Sequence, residues 1–150
     1  MLKLGTDAPN FELQSADGGS IRLRDLLSHG PVVLYFYPAD FTPGCTKQAC
    51  MFRDIHSELS DAGIQVIGIS PQSPEQHRRF REQYNLPFPL LSDPDKRVIR
   101  LYDTDGPFGL GVRRTTYLID RDGKVADLLR ADFNIGRHQH FAERVLAHQA

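Results

Sequence analysis

Residues 41–50 read FTPGCTKQAC and hold both cysteines of the chain, Cys45 and Cys50. Thiols can ligate a metal, staple a fold, sit inert in a core or act as nucleophiles, and spacing helps to separate these roles. Structural zinc sites use closely spaced cysteine pairs and need further ligands. The six histidines, His29, His56, His77, His138, His140 and His148, offer no compact pair beside these cysteines. Inert burial is common for free cysteines, and it suits Cys50 better than Cys45. Cys45 follows Pro43-Gly44 at the start of a helical pattern. Unpaired backbone N–H groups and the positive end of a helix dipole meet there, which favours the nucleophilic thiolate.

The spacing itself points to a sequence of events. On an ideal helix, residues five apart have Cα atoms roughly 8.6 Å from one another. A disulfide tolerates only about 4.4–6.8 Å. Cys45 and Cys50 therefore cannot bridge while the helix is intact. Unwinding its first turn removes the obstacle, and helix ends open at low cost. Cys45 would react, the turn would fray, and Cys50 would capture the product.

The rest of the chain must position this decapeptide. Its 150 residues suit one domain with a single core, and 40% hydrophobic with 25% charged residues is ordinary for a soluble protein. A formal net charge of -1 provides no global field for nucleic acid or an anionic membrane. The run His77-Arg78-Arg79-Phe80-Arg81 is short and reads as a solvated helix face. No apolar stretch approaches the ~20 residues of a membrane span. The segment MLKLGTDAPNF lacks the basic-then-apolar pattern of a secretory signal, so a cytoplasmic location is expected. In that reducing compartment a permanent structural disulfide is disfavoured.

Phe11-Glu12-Leu13 and Ile21-Arg22-Leu23 alternate around a Gly-rich turn and predict a hairpin. Val32 to Tyr37 and Gln65 to Ser70 are unbroken apolar runs that suit strands buried on both faces. A helix is expected from Cys45 to about Ala62, a second from Pro74 behind a Ser73 cap, and a third from Asp93-Pro94 to about Tyr102. Thr115–Asp120 and Lys124–Arg130 flank a turn, and a closing helix runs from Arg137 to His148. The order predicts an α/β chain: a mixed central sheet with helices on its faces, thioredoxin-like, with an N-terminal hairpin extension. Ligand sites in such sheets tend to lie beyond strand C-termini, here the loop Pro38 to Gly44.

Pro38-x-x-x-Thr42-x-x-Cys45 matches the signature of peroxiredoxins. The longer string YFYPADFTPGCTKQACMFRD resembles the peroxiredoxin Q branch, also called bacterioferritin comigratory proteins. LGTDAPNFEL, GISPQSPEQHRRF, LPFPLLSDPDKRV and RTTYLIDRDGKV extend the resemblance over nearly the whole chain. It implies a thiol-dependent peroxidase in which Cys45 is the peroxidatic cysteine and Cys50 the resolving one. Thr42 would hold the thiolate and the peroxide oxygen, and Pro38 would cover the site. Arg114, two residues before Thr116, would favour the thiolate and stabilise the leaving oxygen, with Arg113 facing solvent. The resemblance further implies an intramolecular Cys45–Cys50 disulfide reduced by thioredoxin or a similar dithiol, with a hydroperoxide as substrate. It calls for no metal or organic cofactor. One helix carrying both thiols favours a monomer.

The family usually places Glu three residues after its peroxidatic cysteine, whereas this chain has Gln48. Two readings stay open: a neutral member of the arginine network, or an exposed helix residue. Asp103 to Val112 looks shorter than its counterpart in many relatives. A disulfide reductase would be expected to carry Cys-x-x-Cys, which this chain lacks. A non-catalytic redox sensor or chaperone-like module, switched by the same disulfide, is the alternative from another class.

Overall fold

The computed structural model describes residues 1–149. Seven strands form one mixed sheet: β1 (Glu12–Ser15), β2 (Ser20–Arg22), β3 (Val32–Phe36), β4 (Gln65–Ser70), β5 (Leu90–Ser92), β6 (Thr115–Ile119) and β7 (Val125–Arg130). Their order across the sheet is β2-β1-β5-β4-β3-β6-β7. The central β3, β4 and β5 run parallel, and the outer pairs are antiparallel. Five helices accompany them: α1 (Leu23–Leu27), α2 (Pro43–Asp61), α3 (Pro74–Tyr84), α4 (Arg97–Leu101) and α5 (Ile135–Gln149).

Strand β3 shows why an unbroken apolar run belongs at the centre. All five of its residues are buried, and successive side chains enter opposite layers. Val33, Tyr35 and the following Tyr37 pack with Phe52 and Leu59 of α2 and Phe141 of α5. Val32, Leu34 and Phe36 join Val98, Ile99 and Tyr102 on the other face. Gly68 on the neighbouring strand makes this possible, because a Cβ there would lie 2.9 Å from the Tyr35 hydroxyl.

Several expectations are corrected. Strand β5 and helix α1 were not anticipated. Each has five residues or fewer, too short for a periodic signal, and β5 exists through its pairing with β4 and β1. Helix α4 begins at Arg97 rather than Asp93, since Lys96 adopts a left-handed conformation (φ 61°) that interrupts any continuous helix. Asp93 instead accepts the Ile99 backbone N–H at 2.7 Å. Helix α2 starts two residues before Cys45, with Thr42 at its N-cap and Pro43 opening it. Helix α5 starts two residues before Arg137. The basic run on α3 is not simply a solvated face: Arg78 and Arg79 are exposed, but His77 and Phe80 are fully buried. The Ser73 cap is as expected, its Oγ accepting from the Gln76 backbone N–H at 3.2 Å.

Candidate active site

The loop leaving the C-terminal end of β3 carries Pro38 to Thr42 and delivers Cys45 into the first turn of α2. Cys45 is buried (1% exposed). From the other side of the site comes Arg114, just ahead of β6. Its Nη2 donates to Cys45 Sγ at 3.3 Å, and its Nη1 donates to Gln48 Oε1 at 2.6 Å. Gly44 makes room for this approach, since a Cβ there would sit 3.2 Å from Arg114 Nη2.

Asp132 anchors the arginine. Its carboxylate accepts the Arg114 backbone N–H at 2.9 Å and Arg113 Nε at 2.8 Å, while its backbone carbonyl accepts Arg114 Nε at 3.2 Å. The pair of arginines is thereby sorted: Arg113 takes the carboxylate, and the Arg114 guanidinium meets a carbonyl, a neutral amide and a thiol. Among these direct contacts Cys45 is the one group able to become an anion. A buried cation is costly unless it is paired, and the Cys45 sulfur lies within its hydrogen-bond reach.

Asp132 is held from behind. His138 on α5 lies buried between Ala131 and Thr116. Burial pushes its imidazole below the usual histidine range. Its Nε2 donates to the Ala131 carbonyl at 2.9 Å, leaving Nδ1 to accept from the Thr116 hydroxyl at 2.8 Å. A neutral histidine thus ties α5 to the ends of β6 and β7 beside the site.

Gln48 is completely buried, one turn after Cys45, so the exposed-residue reading falls. Its Oε1 serves the arginine, while its Nε2 finds no partner among the described residues. The Thr42 hydroxyl donates to the Ala39 carbonyl at 3.1 Å. Its oxygen keeps free acceptor capacity.

Pro38, Thr42, Gly44, Val112 and Arg114 border an open cavity of about 590 Å³. Leu110 and Phe133 add an exposed apolar rim, at 73% and 98% exposure. Cys45 is not on the cavity wall; its neighbour Gly44 and its partner Arg114 are. Cys50 is half-buried on the same helix and opens into a separate groove between α2 and α5, beside Met51, Glu58 and Glu143. Both thiols are free. Among the described residues no cluster of three or more His, Cys, Asp or Glu side chains is placed to hold a metal.

Residues 4–128 match the family model described as AhpC/TSA. The chain belongs to the AhpC/TSA family. Within it, the chain is a peroxiredoxin of the peroxiredoxin Q and Bcp kind. It is 47% identical over 131 residues to a putative peroxiredoxin Bcp of Coxiella burnetii, covering 83% of this chain and 86% of that one. The crystal structure of peroxidoxin BcpB from Mycobacterium tuberculosis superposes with a TM-score of 0.90 at 39% identity, over 99% and 97% of the two chains. A Xanthomonas campestris bacterioferritin comigratory protein, solved to address its alkyl peroxide reduction activity, gives a TM-score of 0.87 at 30% identity, over 100% and 99%. Membership makes this chain a thiol peroxidase, and the thioredoxin-like sheet is the fold these peroxiredoxins share.

The sequence points to Cys45, Cys50, Thr42, Pro38 and Arg114 as candidates but gives no sign of Asp132 or of the burial of Gln48. The contacts of Asp132 with the arginines join residues 18 and 19 apart, and no local pattern announces them. The Gln48 contact suggests a direct test in this peroxiredoxin. A Gln48→Glu variant places a carboxylate where the amide oxygen meets Arg114, so the guanidinium no longer depends on Cys45 for an anion. We expect peroxide reactivity to drop by up to about tenfold as the guanidinium is shared with the new carboxylate. Stopped-flow oxidation checks this.

Proposed function

We propose that this peroxiredoxin reduces hydrogen peroxide and organic hydroperoxides through Cys45, resolves the product with Cys50, and is recycled by thioredoxin or a similar dithiol. The observation that carries the reading is the buried Cys45 thiol at the start of α2, hydrogen-bonded by a guanidinium that has no carboxylate against it.

The Cys45 thiolate attacks the terminal oxygen of the hydroperoxide. An S–O bond forms, the O–O bond breaks, and the departing alkoxide or hydroxide takes a proton to leave as alcohol or water. Arg114, hydrogen-bonded to Cys45 Sγ, stabilises the charge growing on the leaving oxygen in this reading. Thr42, on the wall of the same cavity, holds the thiolate and the peroxide oxygen through its hydroxyl in this reading. Pro38 on the cavity wall limits water at the reacting sulfur. The apolar rim of Leu110 and Phe133 suits the organic part of a larger hydroperoxide.

Cys45 now carries a sulfenic acid. The Cys50 thiolate attacks that sulfur, forming the S–S bond and expelling hydroxide, which is protonated to water. The first turn of α2 must open for this step. A dithiol donor then reduces the Cys45–Cys50 disulfide by exchange and is itself oxidised to a disulfide. Both thiols lie on one helix, so the working unit in this reading is a monomer, and a cytoplasmic location supplies the reductant.

The test is peroxide-dependent NADPH oxidation with thioredoxin and thioredoxin reductase, run over hydrogen peroxide and several organic hydroperoxides. Turnover well above background supports the reading; background rates leave the redox-sensor alternative. A Cys50→Ser variant should form one equivalent of Cys45 sulfenic acid, trapped by dimedone and weighed by mass spectrometry, and then stall. Normal recycling of that variant by thioredoxin would remove Cys50 from the resolving role.

A further inference from the structure

Behind the loop that leads to Cys45 lies a buried polar cluster that the chemistry above does not use. Asp40 and His77 have fully buried side chains, and Asp40 Oδ2 lies 2.6 Å from His77 Nδ1. The other carboxylate oxygen, Oδ1, accepts the Tyr37 hydroxyl at 2.6 Å. His77 Nε2 lies 3.1 Å from the Leu91 carbonyl, which can only accept, so Nε2 carries hydrogen. Nδ1 faces the Asp40 carboxylate within hydrogen-bond distance. The imidazole thus joins the loop at Asp40 to β5 at Leu91, from its seat on α3.

The next residue repeats the attachment by other means. Phe41 packs its ring edge-on against Phe80 of α3, with centroids 5.1 Å apart, and lies near Tyr84. Its backbone is left-handed, at φ 66°, a conformation that costs a non-glycine residue about 1–3 kcal/mol and persists only where surrounding contacts hold it. Two consecutive loop residues are therefore clasped to α3 while the backbone between loop and helix is strained.

Asp40 is five residues before Cys45, as Cys50 is five after it. With Asp40 held, the slack for moving Cys45 out of the helix is confined to Phe41–Gly44. We propose that the Asp40–His77 contact is a latch on the loop before Cys45, which sets how fast Cys50 captures the sulfenic acid. His77 and Asp40 are positioning residues: neither lines the cavity at Arg114, and both act through the loop. The inference rests on the two-cysteine reading above.

Two substitutions of His77 separate a latch from a merely structural role. The amide nitrogen of glutamine overlays Nε2 of histidine, and that of asparagine overlays Nδ1. His77→Gln keeps the donor to Leu91 and releases Asp40; His77→Asn keeps the donor to Asp40. Both lose the imidazole ring, so a loss of packing alone would affect them alike.

The experiment is a single turnover of the full chain with one equivalent of hydrogen peroxide, quenched by an alkylating agent and resolved by mass spectrometry. It yields separate rates for sulfenic acid formation and for closure of the Cys45–Cys50 disulfide. His77→Gln should close the disulfide about tenfold faster than wild type, the scale of one buried, charge-assisted hydrogen bond. Sulfenic acid formation should change by less than about threefold, because the closed loop remains the dominant population. His77→Asn should stay within about threefold of wild type in both steps. Equal closure rates for Gln and Asn, or no acceleration in Gln, would overturn the latch while wild type still forms the disulfide. A wild-type protein that forms no Cys45–Cys50 disulfide would overturn the two-cysteine reading and the latch with it.

Discussion

The Cys45→Ser protein will consume no hydroperoxide above the uncatalysed background. Serine is close to cysteine in size, so Arg114 keeps its contacts with Gln48 and Asp132 and the fold is preserved. What disappears is the anion. A thiol near neutral pH needs only a modest bias to ionise, whereas an aliphatic hydroxyl is many orders of magnitude less acidic. Even the largest displacements that burial and a charged partner produce in proteins, about 3–5 on the pH scale, do not populate an alkoxide at pH 7. The guanidinium beside residue 45 would then face three neutral groups. Stopped-flow and coupled assays read the loss, and circular dichroism verifies the fold. Residual turnover would move the nucleophile elsewhere, and Cys50 is the only other thiol in the chain.

The second large effect belongs to Arg114. In the Arg114→Ala protein the peroxide reaction should slow by about 10²–10³, the scale seen when one preorganised donor to a developing anion is removed. Two contributions add. The Cys45 sulfur loses its charged hydrogen-bond donor. The leaving oxygen also loses its electrostatic partner during O–O cleavage. The cut leaves Gln48 Oε1 buried without its donor, which costs about 1–3 kcal/mol of stability, and a thermal melt should register this separately. Arg114→Lys keeps charge but not the fork that reaches Gln48 and Cys45 together, so it should fall between alanine and wild type. Arg113→Ala provides the contrast. Its partner Asp132 is partly exposed and still binds the Arg114 backbone, so peroxide reactivity should stay within about threefold. Full reactivity in Arg114→Ala would assign the anion-stabilising role to another group.

These two results depend on different kinds of information. Cys45 was legible because its chemistry is local: proline, glycine and a helix start within a few residues. The central strands were legible for a related reason, since burial on both faces writes itself as an unbroken apolar run in Val32–Phe36 and Gln65–Ser70. Ser73 and Pro74 announced the start of α3 because capping operates within one turn. Arg114 was legible only through resemblance; nothing in its own neighbourhood points at a thiol 69 residues away.

The remaining features had no local signal. Strand β5 is three residues between prolines and becomes a strand because β4 and β1 supply hydrogen-bond partners. His77 and Phe80 sit among arginines in the sequence, yet the rotation of α3 against the sheet buries both. Gln48 has the composition of a surface residue and lies buried against the guanidinium of Arg114, 66 residues away in the chain. The Asp132 carboxylate takes the Arg113 side chain and leaves the Arg114 guanidinium to reach Cys45. By itself, the sequence determined where the two thiols lie on one helix and that an intact helix keeps them apart. Tertiary structure decided which charge faces the thiol and what holds the loop, because both depend on long-range contacts that exist only once the chain has folded.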